Sequence, residues 1–470
     1  MAKKVNKNMV AALTAFGFVL MAVAGVVMIL QLRQTDPTRF TELAQSHEEE
    51  GTWDEALIFY NKAYLVSNDP AYLVDVGRMF YNQGEDGRAR EIWKKALTIN
   101  PTLEPALTKL CEYYYEGSRR SRHPDWWNLL LETTDELLAL DDQNAFALSL
   151  RGQARLTLRR TDGISADEGV ADLTRAVEIA PENVDYALAL AGAQMLESQL
   201  QDAEALFERL MEANVTPGHD AARIRNAYAE WLSMQAGRAR RNRPNDQASK
   251  QLARAEELHQ AAMELAGDDP EDQSEARVRL ADHLIKSHNL KQALRETELS
   301  PATQEAAKRI EDLLVAAIEI DPDGFTHYLL LADLYQAQRK FGDVIRVCES
   351  RIERGIQRQG LKGAERKRGL YLALLAGANA SIAQASTLSM ESQERVELLT
   401  RAQAWVVDAK AERPAAPEAL RTEGRILLAQ RKDLEALAAF EKADKAFPGA
   451  DAETKGYLAK LYLSQGQIGA

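Results

Sequence analysis

The chain has 470 residues, 46% of them hydrophobic and 27% charged, and a formal net charge of −13. That acidic balance excludes a broad phosphate-binding surface, which needs clustered positive charge, so no nucleic-acid partner is expected. Two cysteines are too few for a disulfide scaffold, and 11 Phe, 14 Tyr and 6 Trp beside abundant Ala and Leu favour a helical chain.

Residues 1–8 form a basic tail with Lys3, Lys4 and Lys7. Residues 9–32 then run without a charged side chain. At about 1.5 Å per residue such a helix is long enough for a bilayer of about 30 Å, so a transmembrane helix is expected there. Arg33, Asp36 and Arg39 follow, then the acidic residues 48–50. Positive charge is denser before the span, which keeps the N-terminus in the cytoplasm. The rest of the chain is then expected across the inner (cytoplasmic) membrane, in the periplasm if the host is a diderm bacterium. Ala22-Val23-Ala24 matches a small-residue cleavage site, but cleavage would leave Val26-Val27-Met28-Ile29-Leu30 as an apolar N-terminus. An uncleaved signal anchor is the preferred reading.

After the span, small and aromatic residues recur at fixed offsets. The first set is Leu43, Ala44, Ala56, Tyr60 and Ala63; the second is Gly77, Phe80, Ala89, Trp93, Ala96 and Pro101. Leu110, Cys111 and Tyr114 begin a third, with an insertion over 117–125 before a helix-like 126–140. Gly152, Ala176 and Pro181 mark a fourth, with an insertion near 161–168, and Leu190, Ala191, Ala203, Phe207 and Pro217 a fifth. In the middle the pattern is weaker. Tyr228, Trp231 and Leu232 are separated from Ala255, His259 and Ala262 by a polar stretch, 235–250. Leu280, Ala281 and Leu284 are separated from Ala317 and Pro322 by 286–303. The pattern returns with Tyr328, Leu331, Ala332, Tyr335 and Cys348, weakens at Tyr371 and Leu374, and sharpens at Gly424, Leu427, Ala436, Phe440, Ala443 and Pro448. The last six repeat the offsets of the second set. A final partial unit starts at Leu458, Ala459 and Tyr462 and carries an apolar face of Leu458, Leu461 and Tyr462; either this helix itself caps the array or something else packs on it, self-association being one candidate.

These sets resemble the tetratricopeptide repeat, a helix–turn–helix unit with a period of about 34 residues. The resemblance implies an all-α fold, a right-handed α-solenoid of repeats, which here follows the one transmembrane helix expected over 9–32. It divides the chain into an N-terminal array over 33–217, degenerate repeats over 218–323 and a C-terminal array over 324–470. The spacing has a physical cause. Small residues are needed where two antiparallel helices approach, and proline starts a unit because it breaks a helix interior but is tolerated in a first turn. Cys111 and Cys348 fall on positions that want a small buried side chain, in distant repeats, so no disulfide is expected.

The resemblance further implies that the first helix of each unit lines a groove taking peptide segments or partner helices. By position the groove would include Thr41 and Gln45, then Arg78, Tyr81 and Asn82, then Glu112 and Tyr115, and far along the chain Arg421 and Arg425. Val74 and Asp75 replace the side chains with which some family members clamp a terminal carboxylate, so that ligand class is not implied. Two insertions are candidates for further contacts. One joins Arg119, Arg120 and Arg122 to Trp126 and Trp127, residue types enriched in interface hot spots, although the tryptophans would equally serve to begin a buried helix. The other holds Arg238, Arg240, Arg241 and Arg243, which suit an acidic partner or anionic lipid, or a solvated loop.

No phosphate-cradling glycine loop or nucleophile elbow is present. The histidines, His47, His123, His219, His259, His283, His288 and His327, are scattered without metal-ligand spacing. No cofactor, metal or catalytic residue is expected, and the chain is not expected to be an enzyme. The expectation is a membrane-tethered scaffold that mediates protein–protein interactions in assembling or stabilising a cell-envelope complex. The alternatives are a translocon-associated, chaperone-like holdase and an adaptor that docks an enzyme onto a membrane substrate.

Overall fold

The structure is a computed structural model and describes residues 36–120, 123–162, 166–197, 199–242, 246–294, 299–357, 364–414, 416–446 and 452–464. Among these residues all regular structure is α-helical. The expected span over 9–32 lies outside them; no described helix is long and apolar enough to cross a membrane. The chain divides into two compact units, one ending at Leu206 and the other starting at Phe207.

In the first unit the helices are α1 (Pro37–Glu49), α2 (Trp53–Ser67), α3 (Ala71–Asn82), α4 (Asp86–Ile99), α5 (Glu104–Arg120), α6 (Pro124–Leu140), α7 (Ala145–Asp162), α8 (Ala166–Ile179) and α9 (Val184–Leu196). The division falls within α10 (Leu200–Ala213). Their starts are written in the sequence. Asp36 accepts a bond from the Thr38 N–H at 3.0 Å with Pro37 in the first turn, and Asn183 accepts one from the Tyr186 N–H at 3.2 Å. The end of α2 is fixed by Asn68, whose φ of 54° lies in the left-handed region that asparagine tolerates.

The hairpins are locked by a small residue opposite an aromatic one. A β-carbon on Gly77 of α3 would lie 2.3 Å from the Trp93 indole of α4, so only glycine lets the ring lie flat there. The indole Nε1 donates to the Val74 carbonyl at 3.0 Å, and Trp93 is 2% exposed. Rings then follow from helix to helix: Tyr81 to Trp93 at 6.0 Å, Trp93 to Tyr113 at 6.3 Å and Tyr113 to Trp126 at 5.5 Å. Gly117 repeats the lock. It was expected to open an insertion, yet it sits inside α5 against Trp126 of α6.

The second unit contains α11 (His219–Asn242), α12 (Asp246–Glu264), α13 (Pro270–Ser287), a single turn Leu290–Ala293, α14 (Pro301–Ile320), α15 (Phe325–Ala337), α16 (Phe341–Gln357), α17 (Ala364–Ala385), α18 (Gln393–Glu412), α19 (Pro417–Ala429), α20 (Asp433–Ala446) and α21 (Ala452–Ser464). Asp269 caps α13 through the Glu271 N–H at 2.8 Å, and Ser300 caps α14 through the Thr303 N–H at 3.1 Å. One continuous apolar core runs from Val278 to Ile426. Arg395 of α18 is buried in this unit; its guanidinium donates to the Ala385 carbonyl closing α17 and, at 2.8 Å, to the Ala429 carbonyl closing α19. One side chain thus satisfies two helix ends that lack intrahelical partners.

One expectation changes and one alternative is chosen. The inserted residues are not mainly loops: α5 runs on to Arg120, α7 to Asp162 and α11 to Asn242. Residues 235–242, for example, are mostly Arg and Ala, which cost little in a helix. The partial C-terminal unit does not leave its apolar face open. Leu461 is 5% exposed against Ala436 and Phe440, Leu458 is half-buried in the same cluster, and the Tyr462 hydroxyl donates to Glu441 at 2.8 Å. Tyr457 stacks on Phe440 at 4.8 Å, so α21 itself covers α20. Of the alternatives, the helix itself covers the end of the array, which leaves no such face for self-association.

Candidate partner-binding surface

The first helices α1, α3 and α5 each contact the next first helix or its hairpin partner, which brings their outward positions into one row within the first unit. Thr41 is half-buried and spends its hydroxyl on the Pro37 carbonyl at 3.0 Å. Gln45 and Asn82 are exposed, and neither side chain has a hydrogen bond among the described residues.

Arg78 serves the fold. It donates to Glu48 of α1 and to Asp75 at 2.9 Å, reaches the Tyr60 hydroxyl at 3.3 Å and lies over the Tyr60 ring at 5.8 Å. Burial acts to lower its pKa, but the bonds to Glu48 and Asp75 outweigh it and raise it overall. Burial, with Asp75 and Glu48 beside it, pushes the Tyr60 phenol up to about 12. Glu112 is exposed and paired with Lys109 at 2.7 Å. The Tyr115 hydroxyl donates to Gln153 of α7 at 2.9 Å, while its ring meets Trp127 edge-on at 6.3 Å and carries the Arg119 guanidinium at 5.8 Å. Burial first, then nearby Glu116 and Asp185, raises the Tyr115 pKa.

The charges on this row are therefore largely neutralised from within. What remains to offer is the amides of Gln45 and Asn82 and the half-buried rings of Tyr81 and Tyr115. Such a row would offer a partner hydrogen bonds and ring contacts more than net charge. Sequence reasoning missed Glu48, Asp75 and Gln153 as the groups that fix its side chains. A signal existed for Glu48: it lies one repeat before the neighbourhood of Arg78, with opposite charge, on the same helix face.

The remaining candidates stand apart. Arg421 of α19 approaches Glu453 of α21 at 3.6 Å, and Arg425 donates to Asn379 of α17 at 2.6 Å. Trp126 packs between Tyr113, Tyr114 and Gly117, so its role in this fold is packing. Arg238 is exposed on α11. Arg122 and Arg243, and the side chains of Arg120, Arg240 and Arg241, lie outside the described residues. Cys111 and Cys348 are both free and buried, and burial pushes each thiol up to about 12.

Neither a family model nor a curated protein matches the sequence. Solved structures do. Yeast Tom70 aligns over 93% of this chain and 96% of its own, at 12% identity and a TM-score of 0.41. A tetratricopeptide repeat protein from Parabacteroides merdae aligns over 63% of this chain and 98% of its own, at 14% identity and a TM-score of 0.44. Human IFIT1, solved with m7Gppp-AAAA, aligns over 87% and 90%, at 15% identity and a TM-score of 0.35. These are likenesses between stacked helical hairpins. The chain's own packing carries the hairpin geometry: Gly77 lies against Trp93, Gly424 against Phe440, and in the first unit α2 contacts α3, α4 contacts α5 and α6 contacts α7. The hairpins resemble those of tetratricopeptide repeats in this pairing of a small residue with a ring.

Proposed function

We propose that the chain is a membrane-tethered scaffold whose repeats hold protein partners in the assembly or stabilisation of a cell-envelope complex. It acts by binding, without catalysis and without a cofactor. The tether is residues 9–32, with the N-terminus in the cytoplasm and the repeats outside it, following the lysines that precede the span. Tethering raises the effective concentration of the repeats near membrane partners. The observation that supports binding most directly is the row on α1, α3 and α5, where internal ion pairs fix the backdrop and leave Gln45 and Asn82 exposed.

A photo-crosslinking residue at Gln45 or Asn82, in the full chain in native membranes, tests this reading. A few discrete, stoichiometric adducts are expected. A diffuse smear of many clients would favour a holdase instead. A C-terminal reporter active only outside the cytoplasm should give signal; an inside signal would replace the envelope scaffold with a cytoplasmic adaptor.

A further inference from the structure

We propose that His259 and His283 form an acid-sensitive latch, whose protonation releases α12 from α11 and α13 while the rest of the second unit stays folded. His259 of α12 is 2% exposed and His283 of α13 is 5% exposed. Their ring centroids are 5.2 Å apart. His259 Nδ1 lies 2.8 Å from the Asn226 side-chain oxygen on α11, and His283 Nδ1 lies 3.0 Å from the Ser233 hydroxyl on the same helix. Two imidazoles thus join three helices.

The hydrogen-bond pattern assigns the protons. Ser233 donates its hydroxyl proton to the Ala229 carbonyl at 2.9 Å, so its oxygen must accept from His283 Nδ1–H. That makes His283 the neutral Nδ1 tautomer, with a bare lone pair on Nε2. His283 Nε2 is buried and has no hydrogen-bond partner. A proton arriving there would face the Leu252 carbonyl of α12 but would place a cation beside a second buried imidazole. Charge is costly in such a site unless it is paired.

The surrounding ions do not supply that pairing. From α11, Glu230 is engaged by Arg279 of α13. From α12, Glu256 favours a charge on His283 but is held by Arg309 of α14 at 2.5 Å. From α13, Asp282 favours it too but is held by Lys286 at 2.5 Å. Arg279 and Lys286 oppose a charge on His259, and His288 opposes one on His283. Burial first, then His283 and Arg279, pulls His259 down to about 3, and burial lowers His283 as well. An exposed imidazole titrates at about 6.5. The released state therefore binds protons that the closed state refuses. The grip is complete above about pH 6.5 and is lost progressively as pH falls toward the depressed values.

Hydrogen exchange on the full chain in nanodiscs, at pH 7.5 and 5.5 and corrected for intrinsic rates, tests the latch. For an opening that frees His259, protection of α12 amides should fall about tenfold between those values. The double variant His259→Asn, His283→Gln should abolish that fall. A loss in α12 no larger than that in α18, or one that persists in the double variant, would overturn the proposal. Should the variant not fold, exchange of the histidine ring C2 hydrogens in the unmodified chain decides. Titration of His259 below pH 5 is expected, and titration at about 6.5 in the folded chain would overturn the latch.

Discussion

Arg431 closes α19 with a φ of 59°, a left-handed backbone that is costly for a side chain with a β-carbon. The turn is a helix cap, with the Arg431 N–H on the Leu428 carbonyl at 3.0 Å and the Lys432 N–H on the Leu427 carbonyl at 2.9 Å. Gly84 holds the matching turn after α3, with a φ of 77°. Arg431→Gly is therefore expected to stabilise the chain by about 0.5–1 kcal/mol, read as a higher denaturant midpoint at unchanged slope. Asp172 presents the opposite case. It is 7% exposed and takes two bonds from Arg151, at 2.9 and 2.8 Å, and one from Arg155 at 2.8 Å. Arg151 also reaches Asp135 at 3.0 Å, so the cluster ties α6, α7 and α8. Asp172→Asn keeps the shape but leaves two half-buried guanidiniums facing a neutral amide, and the expected loss is about 3 kcal/mol by chemical denaturation. Part of this was legible in the sequence: Arg151, Arg155 and Arg159 lie four apart, on one face of one helix. The partner of Arg151 and Arg155 was not, because Asp172 is brought opposite them only by the hairpin, while Arg159 meets Glu197 instead.

At the scale of elements, the helices were legible wherever a small residue and an aromatic recur at fixed offsets, because each such pair is a contact between two helices. Gly77 with Trp93 and Gly424 with Phe440 are contacts in the structure as well as marks in the sequence. The insertions were less legible. A polar, charged stretch reads as loop or as helix extension according to what it packs on, and periodicity cannot separate the two. The candidate row was legible as positions and not as roles: Arg78 and Gln45 have the same offset within their units, yet one is locked in an ion-pair network and the other is exposed. The C-terminal element turned on its own amphipathicity. Leu461 faces α20, whereas Leu463 is 64% exposed. Leu461→Asp should place a carboxylate against Phe440 and detach α21. Hydrogen exchange should then show α21 and α20 losing protection together, at a cost of about 3 kcal/mol. Unchanged exchange in α20 would mean that α21 does not cover it.

At the scale of the molecule, the helices within each unit contact those one or two places away in chain order. Such contacts are local in sequence, so stability is close to a sum of hairpin terms and nearest-neighbour interfaces. A perturbation should then fade along the chain instead of unfolding a whole unit at once. Trp93 is the strongest place to test this in the first unit, because its ring contacts the Gly77 backbone, bonds the Val74 carbonyl and meets both Tyr81 and Tyr113. Trp93→Ala removes all of these and should cost about 3–5 kcal/mol locally. Hydrogen exchange should show the loss in α3, α4 and α5, with α8 and α9 changed by less than about 0.5 kcal/mol. An equal loss across all the helices of the unit would show a single cooperative core, and the proposed partner binding on α1, α3 and α5 would then report on the stability of the entire unit. A graded loss would instead allow one part of the binding row to order on contact with a partner while its neighbours stay as they were.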